Sequence, residues 1–292
     1  MPTISQAITE GASRLHAAGI DQERRTAGLL LCNVMGIDRT RLLTRSEEQI
    51  DEAQYLDYLE LVVRRAAGEP AQYVTGHQEF YGLDFIVTPD VLIPRPETEF
   101  LIERVMNLVE DSKQDSPLIV DVGTGSGCIA VTVAKLLPCA RLIATDASPA
   151  ALNVARTNAE RHGLRDRIEF LEGDLFAPLA ERGLEGAVDV LASNPPYVSE
   201  ERPELIQREV YEWEPRQALF GGCDGMDFYR RLLADGWKYL KPGGYLVVEI
   251  GFGQHDSIRN AVAATSWNLV DVTRDLQDIP RTLTMKKPSE NV

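Results

Sequence analysis

The sequence predicts an α/β protein, with a doubly wound sheet as its main part and a small helical domain before it. From residue 118 onward, short apolar runs typical of buried strands alternate with segments of helical periodicity. Such alternation implies right-handed crossovers between parallel strands. Residues 3 to 67 show helical periodicity only. With 292 residues, 44% of them hydrophobic, the chain is long enough to form two cores of different size.

Changes in periodicity divide the chain into three predicted parts. In residues 1–67, apolar side chains recur at helical spacing in three stripes, the first of which consists of Ile4, Ala7, Ile8, Ala12 and Leu15. In residues 68–93, two short β-like runs flank Gly82, which predicts a β-hairpin linker. Residues 94–292 carry the alternating pattern and every candidate for chemistry. Because residues 1–67 contain no catalytic constellation, we expect them to recognise a substrate.

The first helix after the linker is predicted to open at residues 93–99. Pro96 suits its first turn, and Glu97 and Glu99 complement the positive end of the helix. That position explains both acidic residues without a catalytic role. Four side chains are expected to point inward, namely Phe100, Leu101, Val105 and Leu108.

The later elements alternate regularly. Strands are predicted at residues 118–122, 141–145, 168–171, 188–193, 244–250, 267–274 and 282–286. Helices are predicted at residues 128–137, 149–161 and 229–240, with one more after the strand at 244–250. In an open α/β sheet of this kind, ligands bind at the carboxyl ends of the strands. Candidate functional residues are therefore sought directly after each strand.

The turn after the first strand of the sheet is rich in glycine. Glycine permits positive φ and lets backbone N–H groups approach a ligand, so the turn predicts a nucleotide-type cofactor. A dinucleotide fingerprint would need Gly or Ala at position 128, where this chain has Cys128. The pattern D-x-G-x-G-x-G instead resembles the loop of class I methyltransferases that binds S-adenosylmethionine (SAM). This resemblance implies cofactor contacts from Asp121, which would reach the methionine ammonium group, and from Gly123, Thr124, Gly125, Ser126 and Gly127.

Two more carboxylates follow strands. Asp146 ends the second strand and is placed to accept hydrogen bonds from both ribose hydroxyls, a feature that dehydrogenases share. Asp174 follows the third strand and is a candidate for the adenine amino group, with Leu175 or Phe176 against the adenine face. Each carboxylate could instead be a helix cap.

The strand at residues 188–193 ends in Asn194, Pro195, Pro196 and Tyr197. Two consecutive prolines lack the backbone N–H groups that a helix or the hydrogen bonds of a β-sheet would need, so the chain must turn here. Asn194 offers a carbonyl acceptor, the Pro195 carbonyl faces outward, and Tyr197 supplies a flat ring. Together they are suited to hold a planar group that bears an NH2. A simple turn after a strand is the alternative explanation.

Five motifs together resemble the PrmC/HemK family. They are GTGSG at residues 123–127, Asp146, GDLF at 173–176, NPPY at 194–197 and LIPRPETE at 92–99. The similarity extends over nearly the whole chain and includes the helical N-terminal part. NPPY alone is shared with adenine N6-methyltransferases, so the stretch at 92–99 and the N-terminal part are the more specific signals.

The resemblance implies a fold and a reaction. The fold is the Rossmann-like doubly wound sheet of class I SAM-dependent methyltransferases. The reaction is methylation of the side-chain amide nitrogen (N5) of the glutamine in the Gly-Gly-Gln motif of peptide chain release factors, which leaves S-adenosylhomocysteine. Asn194, Pro195, Pro196 and Tyr197 would form the catalytic set, and Asn194 would also lie against the cofactor.

Charge and composition bear on the remaining alternatives. The formal net charge of −15 argues against tight binding to nucleic-acid backbone and therefore against an adenine N6-methyltransferase. A non-catalytic nucleotide-binding module would not need an intact NPPY motif. The four histidines and four cysteines show no metal-ligand spacing, so no metal is expected. Neither a secretion signal nor a run of about 18 apolar residues is evident, which predicts a cytoplasmic protein without membrane contact.

Overall fold

The computed structural model describes residues 1–289 and divides into two compact units. The first comprises residues 1–77 together with residues 207–213. The second comprises residues 78–206 and continues from residue 214 onward. In the described part of the chain, no helix combines the length and the apolar character needed to cross a membrane.

The first unit is helical, as predicted for residues 3 to 67. Its helices are α1 (Ile4–Ala17), α2 (Glu23–Met35), α3 (Arg39–Thr44), α4 (Glu52–Ala66) and α5 (Ala71–Thr75). Two of the three predicted stripes form its core, with Leu15 and Leu30 fully buried. The third predicted stripe, Tyr55, Leu59, Val62 and Val63, is wrong at Val63, which is 59% exposed, while Tyr58 is fully buried. Gly11 lets α1 approach α4 closely, since a Cβ atom there would lie 1.9 Å from the Tyr58 hydroxyl. The short helices α3 and α5 are not apparent from periodicity because each spans under two turns.

The second unit contains a two-stranded hairpin and a seven-stranded sheet. The hairpin consists of β1 (His77–Phe80) and β2 (Leu83–Ile86), which confirms the hairpin predicted around Gly82. The elements that follow the hairpin along the chain are α6 (Thr98–Ser112), β3 (Leu118–Val122), α7 (Cys128–Leu136), β4 (Arg141–Asp146), α8 (Pro149–Arg161), β5 (Ile168–Glu172), α9 (Ala177–Glu181), β6 (Val188–Ser193), α10 (Arg208–Trp213), α11 (Arg216–Leu219), α12 (Asp227–Tyr239), β7 (Leu240–Glu249), α13 (His255–Ala263), β8 (Asn268–Arg274) and β9 (Pro280–Lys286), and all of them except α10 belong to the second unit. Single 3-10 turns lie at Arg165–Arg167 and Pro203–Leu205.

Helix α10 belongs to the first unit although it comes late in the chain. The Arg65 guanidinium on α4 donates to the carboxylate of Glu209 at 2.6 Å. Arg65 also donates to the Glu69 carbonyl at 3.0 Å. The helical unit is therefore completed by a segment that follows NPPY, which periodicity in residues 1–67 does not reveal.

The order of strands in the sheet is β5-β4-β3-β6-β7-β9-β8. The pairs from β5 to β7 are parallel, whereas β9 is antiparallel to both of its neighbours. The chain runs outward from β3 to β5 and then returns to the other side of β3 with β6. The carboxyl ends of β3 and β6 therefore flank the point where the strand order reverses, which is where α/β sheets bind ligands.

Apolar layers cover both faces of the sheet. One layer contains Leu101 of α6, Val131 of α7 and Leu152 of α8. The other contains Tyr229 of α12 and Ile258 of α13. This two-sided burial explains why the central strands read as continuous apolar runs.

Most element ends lie within two residues of the prediction, and two boundaries differ for a structural reason. Helix α6 begins at Thr98 because residues 96 and 97 form a turn before it, and Phe100 is half-buried while Ile102 takes an inward position. Strand β7 begins at Leu240, which pairs with Val188 ahead of a register shift. The Pro-Gly-Gly sequence at 242–244 resembles a turn, but here it lies within the strand.

Candidate active site

A cleft opens at the carboxyl ends of β3, β4 and β6 and encloses about 1100 Å³, including its open mouth. This size suits a small-molecule site. Ten of the predicted site residues line it: Gly123, Thr124, Gly125, Ser126, Asp146, Asp174, Leu175, Asn194, Pro195 and Pro196. Four predicted residues, Asp121, Gly127, Phe176 and Tyr197, lie outside the lining of this cleft. Phe176 is buried and stacks on the Tyr239 ring.

The glycine loop is held against the end of β4. The backbone N–H groups of Gly123 and Thr124 both donate to the Thr145 carbonyl at 2.9 Å. Gly125 has φ of +55°, and a Cβ atom there would meet no protein atom within 4 Å. Gly127 has φ of +82°, and its Cβ atom would lie 3.0 Å from that of Ala155. The second glycine thus faces open space at the cleft, and the third lets α7 begin close to α8.

Asp121 lies behind the loop and is fully buried. Its Oδ2 accepts hydrogen bonds from the Thr124 hydroxyl at 2.6 Å and the Ala130 N–H at 3.2 Å. Its Oδ1 has no hydrogen-bond partner among the described residues. Burial raises the pKa of Asp121 to about 7, although these two hydrogen bonds oppose the rise. A buried, unpaired carboxylate oxygen fits a cationic ligand group, and its contact with the methionine ammonium remains a prediction.

Asp146 connects the end of β4 with the glycine loop. Its Oδ2 accepts from the Gly125 N–H at 2.8 Å, and its Oδ1 accepts from the Ser148 N–H at 2.9 Å. Burial raises the pKa of Asp146, and the backbone hydrogen bonds lower it. The side chain that caps α8 is Ser148, whose hydroxyl accepts from the Ala151 N–H. Asp146 therefore supports the loop and is not the cap of α8.

Asp174 lies at the exposed side of the cleft. Its carboxylate pairs with Arg231 of α12, and the Arg231 guanidinium also lies 5.9 Å from the centre of the Phe228 ring. Phe228 lines the cleft. No side chain caps the following helix α9. The helix-cap alternative therefore does not describe Asp174, and the adenine contact proposed for Asp174 and Leu175 remains a prediction.

Asn194 is placed beside the glycine loop by the pairing of β3 with β6. The Ser193 hydroxyl donates to the Val122 carbonyl at 2.7 Å and thereby joins the ends of the two strands. The Asn194 Nδ2 donates to the Thr98 hydroxyl oxygen at 3.2 Å. Its Oδ1 is buried and has no partner within the described residues. An unpaired buried acceptor costs about 1–3 kcal/mol, which a ligand N–H group would recover.

Tyr197 packs away from the cleft against the turn after β7. A Cβ atom on Gly251 would lie 2.8 Å from the Tyr197 ring, so only glycine permits this contact. The Gln254 side chain donates to the Tyr197 carbonyl at 2.8 Å and holds the turn in place. Burial raises the pKa of the Tyr197 phenol. Contact of this ring with a substrate remains a prediction.

Several residues of the site were not recognised in the sequence. Thr98 was assigned only to a helix start, yet it lines the cleft and donates to the Glu249 carboxylate at 2.6 Å. Glu249 ends the apolar strand β7, and a carboxylate at the carboxyl end of a buried strand is the signal that could have identified it. Arg95 also lines the cleft and forms an ion pair with the buried Glu214.

The buried Glu249 predicts a pH-dependent stability. Burial raises its pKa from 4.5 to about 7, with Thr98, Arg281 and Arg95 opposing the rise. Between these pH values the folded chain holds a proton that the unfolded chain has lost, so this carboxyl group destabilises the fold increasingly as pH rises. We expect the stability of Glu249→Gln relative to wild type to grow across this range, by up to about 3 kcal/mol.

Urea unfolding of both proteins between pH 4.5 and pH 8 measures this difference. Asp121 is present in both proteins, so its contribution to the pH dependence of stability cancels in the difference between them. Parallel stability curves for Glu249→Gln and wild type would contradict the pKa shift. The measurement requires no assay of activity.

The fold and the cleft together define a class I SAM-dependent methyltransferase. The glycine turn at the switch point, the unpaired oxygen of Asp121 and the unpaired acceptor of Asn194 fit this cofactor and an N–H-bearing acceptor. Family models agree with this class. Residues 6–76 match the PrmC N-terminal domain, and residues 97–212 match the methyltransferase small domain.

Similar proteins cover almost the whole chain. The release factor glutamine methyltransferase of Koribacter versatilis is 43% identical over 287 residues, which cover 98% of this chain and 99% of that protein. Its counterpart in Moorella thermoacetica is 45% identical over 90% of each chain. The chain thus belongs to the release factor glutamine methyltransferase family.

Solved structures support the fold alone. The N-terminal domain of human METTL16 superposes with a TM-score of 0.52 at 18% identity, covering 91% of this chain and 94% of that chain. A methyltransferase from Pyrococcus furiosus superposes with a TM-score of 0.51 at 20% identity, covering 72% of this chain and 91% of that chain.

Proposed function

We propose that this protein transfers a methyl group from SAM to the side-chain amide nitrogen of the glutamine in the Gly-Gly-Gln motif of peptide chain release factors. The observation that carries the proposal is the unpaired Oδ1 of Asn194 beside the glycine loop. The names of the relatives support the same substrate and the same amino acid. The reaction takes place in the cytoplasm, where release factors act.

The mechanism follows from the nature of the acceptor. When bound, SAM supplies an electrophilic methyl group on its sulfonium. An amide nitrogen is a weak nucleophile because its lone pair is delocalised. The Asn194 Oδ1 and the Pro195 carbonyl accept hydrogen bonds from the two N–H groups of the glutamine amide, and both hydrogen bonds strengthen as positive charge develops on nitrogen. Orientation of two reactants can lower a barrier by roughly 7–11 kcal/mol, so positioning takes the place of a dedicated base. The proton that the nitrogen loses passes to water after methyl transfer.

The charges that line the cleft favour a protein acceptor over a nucleic acid. Asp90, Asp146 and Asp174 line it, compared with the single basic residue Arg95 among the described lining residues. The net charge of −15 has the same sign. An adenine N6-methyltransferase would need positive charge to hold a phosphate backbone, so this alternative is disfavoured.

A direct assay tests the proposal. Purified protein and labelled SAM are incubated separately with a release factor, with the same factor carrying Gly-Gly-Ala, and with DNA. Label is expected in the intact factor and not in the other two. Equal labelling of the Gly-Gly-Ala factor would refute the glutamine assignment, and labelling of DNA alone would favour the adenine alternative.

The helical N-terminal part, predicted as residues 1–67, is proposed to recognise the release factor. Leu56 and Val63 lie seven residues apart on α4, and each is 59% exposed. Exposed apolar side chains on one helical face suit contact with a protein. Because α10 completes this unit, substitution in the full chain is a cleaner test than truncation.

We expect Leu56→Asp combined with Val63→Asp to raise KM for the release factor about tenfold, since two buried contacts would be lost on binding. The turnover number and the affinity for SAM should stay unchanged. Val270→Asp, at an exposed position on the edge strand β8, is the matched control. Unchanged KM in the double variant would refute a recognition role for this face.

A further inference from the structure

A chain of hydrogen bonds runs from the cleft into the core. The Asn194 Nδ2 donates to the Thr98 Oγ1 at 3.2 Å, and the Thr98 hydroxyl donates to the Glu249 Oε2 at 2.6 Å. Thr98 is 1% exposed and Glu249 is 2% exposed. The three residues come from the first turn of α6 and from the carboxyl ends of β6 and β7, so tertiary structure alone brings them together.

The direction of this chain determines which atom of Asn194 has no hydrogen-bond partner among the described residues. A threonine hydroxyl has one hydrogen, and ionised Glu249, which can only accept, receives it. The Thr98 oxygen can then only accept a second hydrogen bond, and it accepts one from the Nδ2 of Asn194. It could not form a hydrogen bond with the Asn194 Oδ1, which is also an acceptor. A flipped amide would place two oxygen lone-pair groups against each other. The pairing therefore leaves the Oδ1 of Asn194 as the free acceptor.

A purely structural role accounts poorly for Glu249. Taking a carboxyl group fully out of water is costly, and an apolar residue at this position would pack without that cost. The Tyr229 hydroxyl binds the backbone carbonyl of Glu249 at 2.9 Å, so it does not serve the carboxylate. Within the described residues, that carboxylate accepts its hydrogen bond from Thr98. The buried carboxylate of Glu249 thus binds a residue that lines the cleft.

We propose that Thr98 and Glu249 are positioning residues that hold the Asn194 amide with its Oδ1 toward the substrate N–H. The inference rests on the proposed function, in which that oxygen accepts a hydrogen bond from the glutamine amide. In the opposite orientation an NH2 group would face the substrate NH2, and neither could accept from the other. The orientation of the Asn194 amide matters more for the transition state of methyl transfer than for binding of the whole release factor.

Three single variants test the role of the Thr98 oxygen. Thr98→Val keeps the shape and removes the hydroxyl, and we expect turnover to fall about tenfold while KM and SAM affinity stay within about twofold. Thr98→Ser keeps the oxygen and should restore most of the loss. Thr132→Val on α7 is the control, since this threonine is equally buried and lies outside the cleft. Wild-type turnover in Thr98→Val would refute the proposal.

A double-mutant cycle separates orientation from structure. Asn194→Asp has two equivalent oxygens, so its orientation no longer matters. Thr98→Val should therefore cost little on the Asn194→Asp background, whereas a structural role would cost the same factor on both backgrounds. Equal losses would overturn the proposal. If Thr98→Val does not fold, Thr98→Ala is used in the same cycle.

The assay also distinguishes the two proposals. Single-turnover methylation of a release factor by the wild-type protein reports on the proposed function before any variant is compared. Absence of methylation by wild type would refute that function. Normal wild-type methylation with an additive cycle would refute only the positioning role of Thr98 and Glu249.

Discussion

Replacing Asn194 with alanine is expected to lower the rate of methyl transfer by about 10²–10³-fold, which is the typical loss of one preorganised transition-state contact. The unfolding transition should remain cooperative, because the substitution removes one side-chain hydrogen bond, from the Nδ2 to the Thr98 hydroxyl, and the Oδ1 has no partner within the described chain. Binding of the release factor should change less, since many other contacts position that protein.

Asn194→Asp is the sharper variant. Its carboxylate still accepts hydrogen bonds, but it places a negative charge near the sulfonium and removes the donor to Thr98. Activity is expected to fall less than in Asn194→Ala. Asn153→Ala, at an exposed position on α8, serves as the control that should not alter the rate. Single-turnover methylation measures all of these proteins, and normal turnover by Asn194→Ala would refute the mechanism.

Gly125→Val is expected to weaken binding of SAM by more than about 100-fold. The position has φ of +55°, which branched residues rarely adopt, and its Cβ side is open where the loop lines the cleft. A valine would strain the loop. Its side chain would also occupy the space through which the loop backbone is expected to contact the cofactor. The strain would also disturb the hydrogen bond from the Gly125 N–H to Asp146.

Gly163→Val provides the matched control for strain. Gly163 has φ of +70° and likewise meets nothing within 4 Å, but it lies after α8 and outside the cleft. Both variants should lose similar stability, and only Gly125→Val should lose affinity for SAM. Isothermal titration of the two proteins decides this, and wild-type affinity in Gly125→Val would overturn the assignment of the loop.

Local patterns in the sequence were sufficient to predict most of the fold. The strand at Leu118–Val122 and the helix at Pro149–Arg161 agree with the prediction residue for residue, because both faces of the strand are buried and a proline starts the helix. The hairpin follows from the glycine between two short β-like runs. Errors arose where local signals conflicted, as at residues 242–244, where turn-like residues lie within a long strand.

The candidate site was predictable to the extent that its residues follow strands. The glycine loop, Asp146 and Asn194 each stand directly after a strand, and the topology places the ends of β3 and β6 side by side. Thr98 and Glu249 were not recognised as a pair, because they are 151 residues apart and the motif at residues 92–99, which contains Thr98, gives no spacing to Glu249. Their contact depends on the packing of α6 against the sheet.

The sequence alone determined the class of fold, the family and the residue types offered to a cofactor and an acceptor. These properties follow from periodicity and from short motifs, which depend only on neighbours along the chain. Tertiary structure decided which polar atoms remain unpaired. Among the described residues, the Oδ1 atoms of Asp121 and Asn194 have no hydrogen-bond partner. The Nδ2 of Asn194 meets Thr98, which lies 96 residues away along the chain, whereas the Oδ2 of Asp121 meets Thr124 and Ala130 of the turn and helix that follow it. Hydrogen-bond satisfaction inside a protein depends on three-dimensional proximity, and sequence order does not encode it.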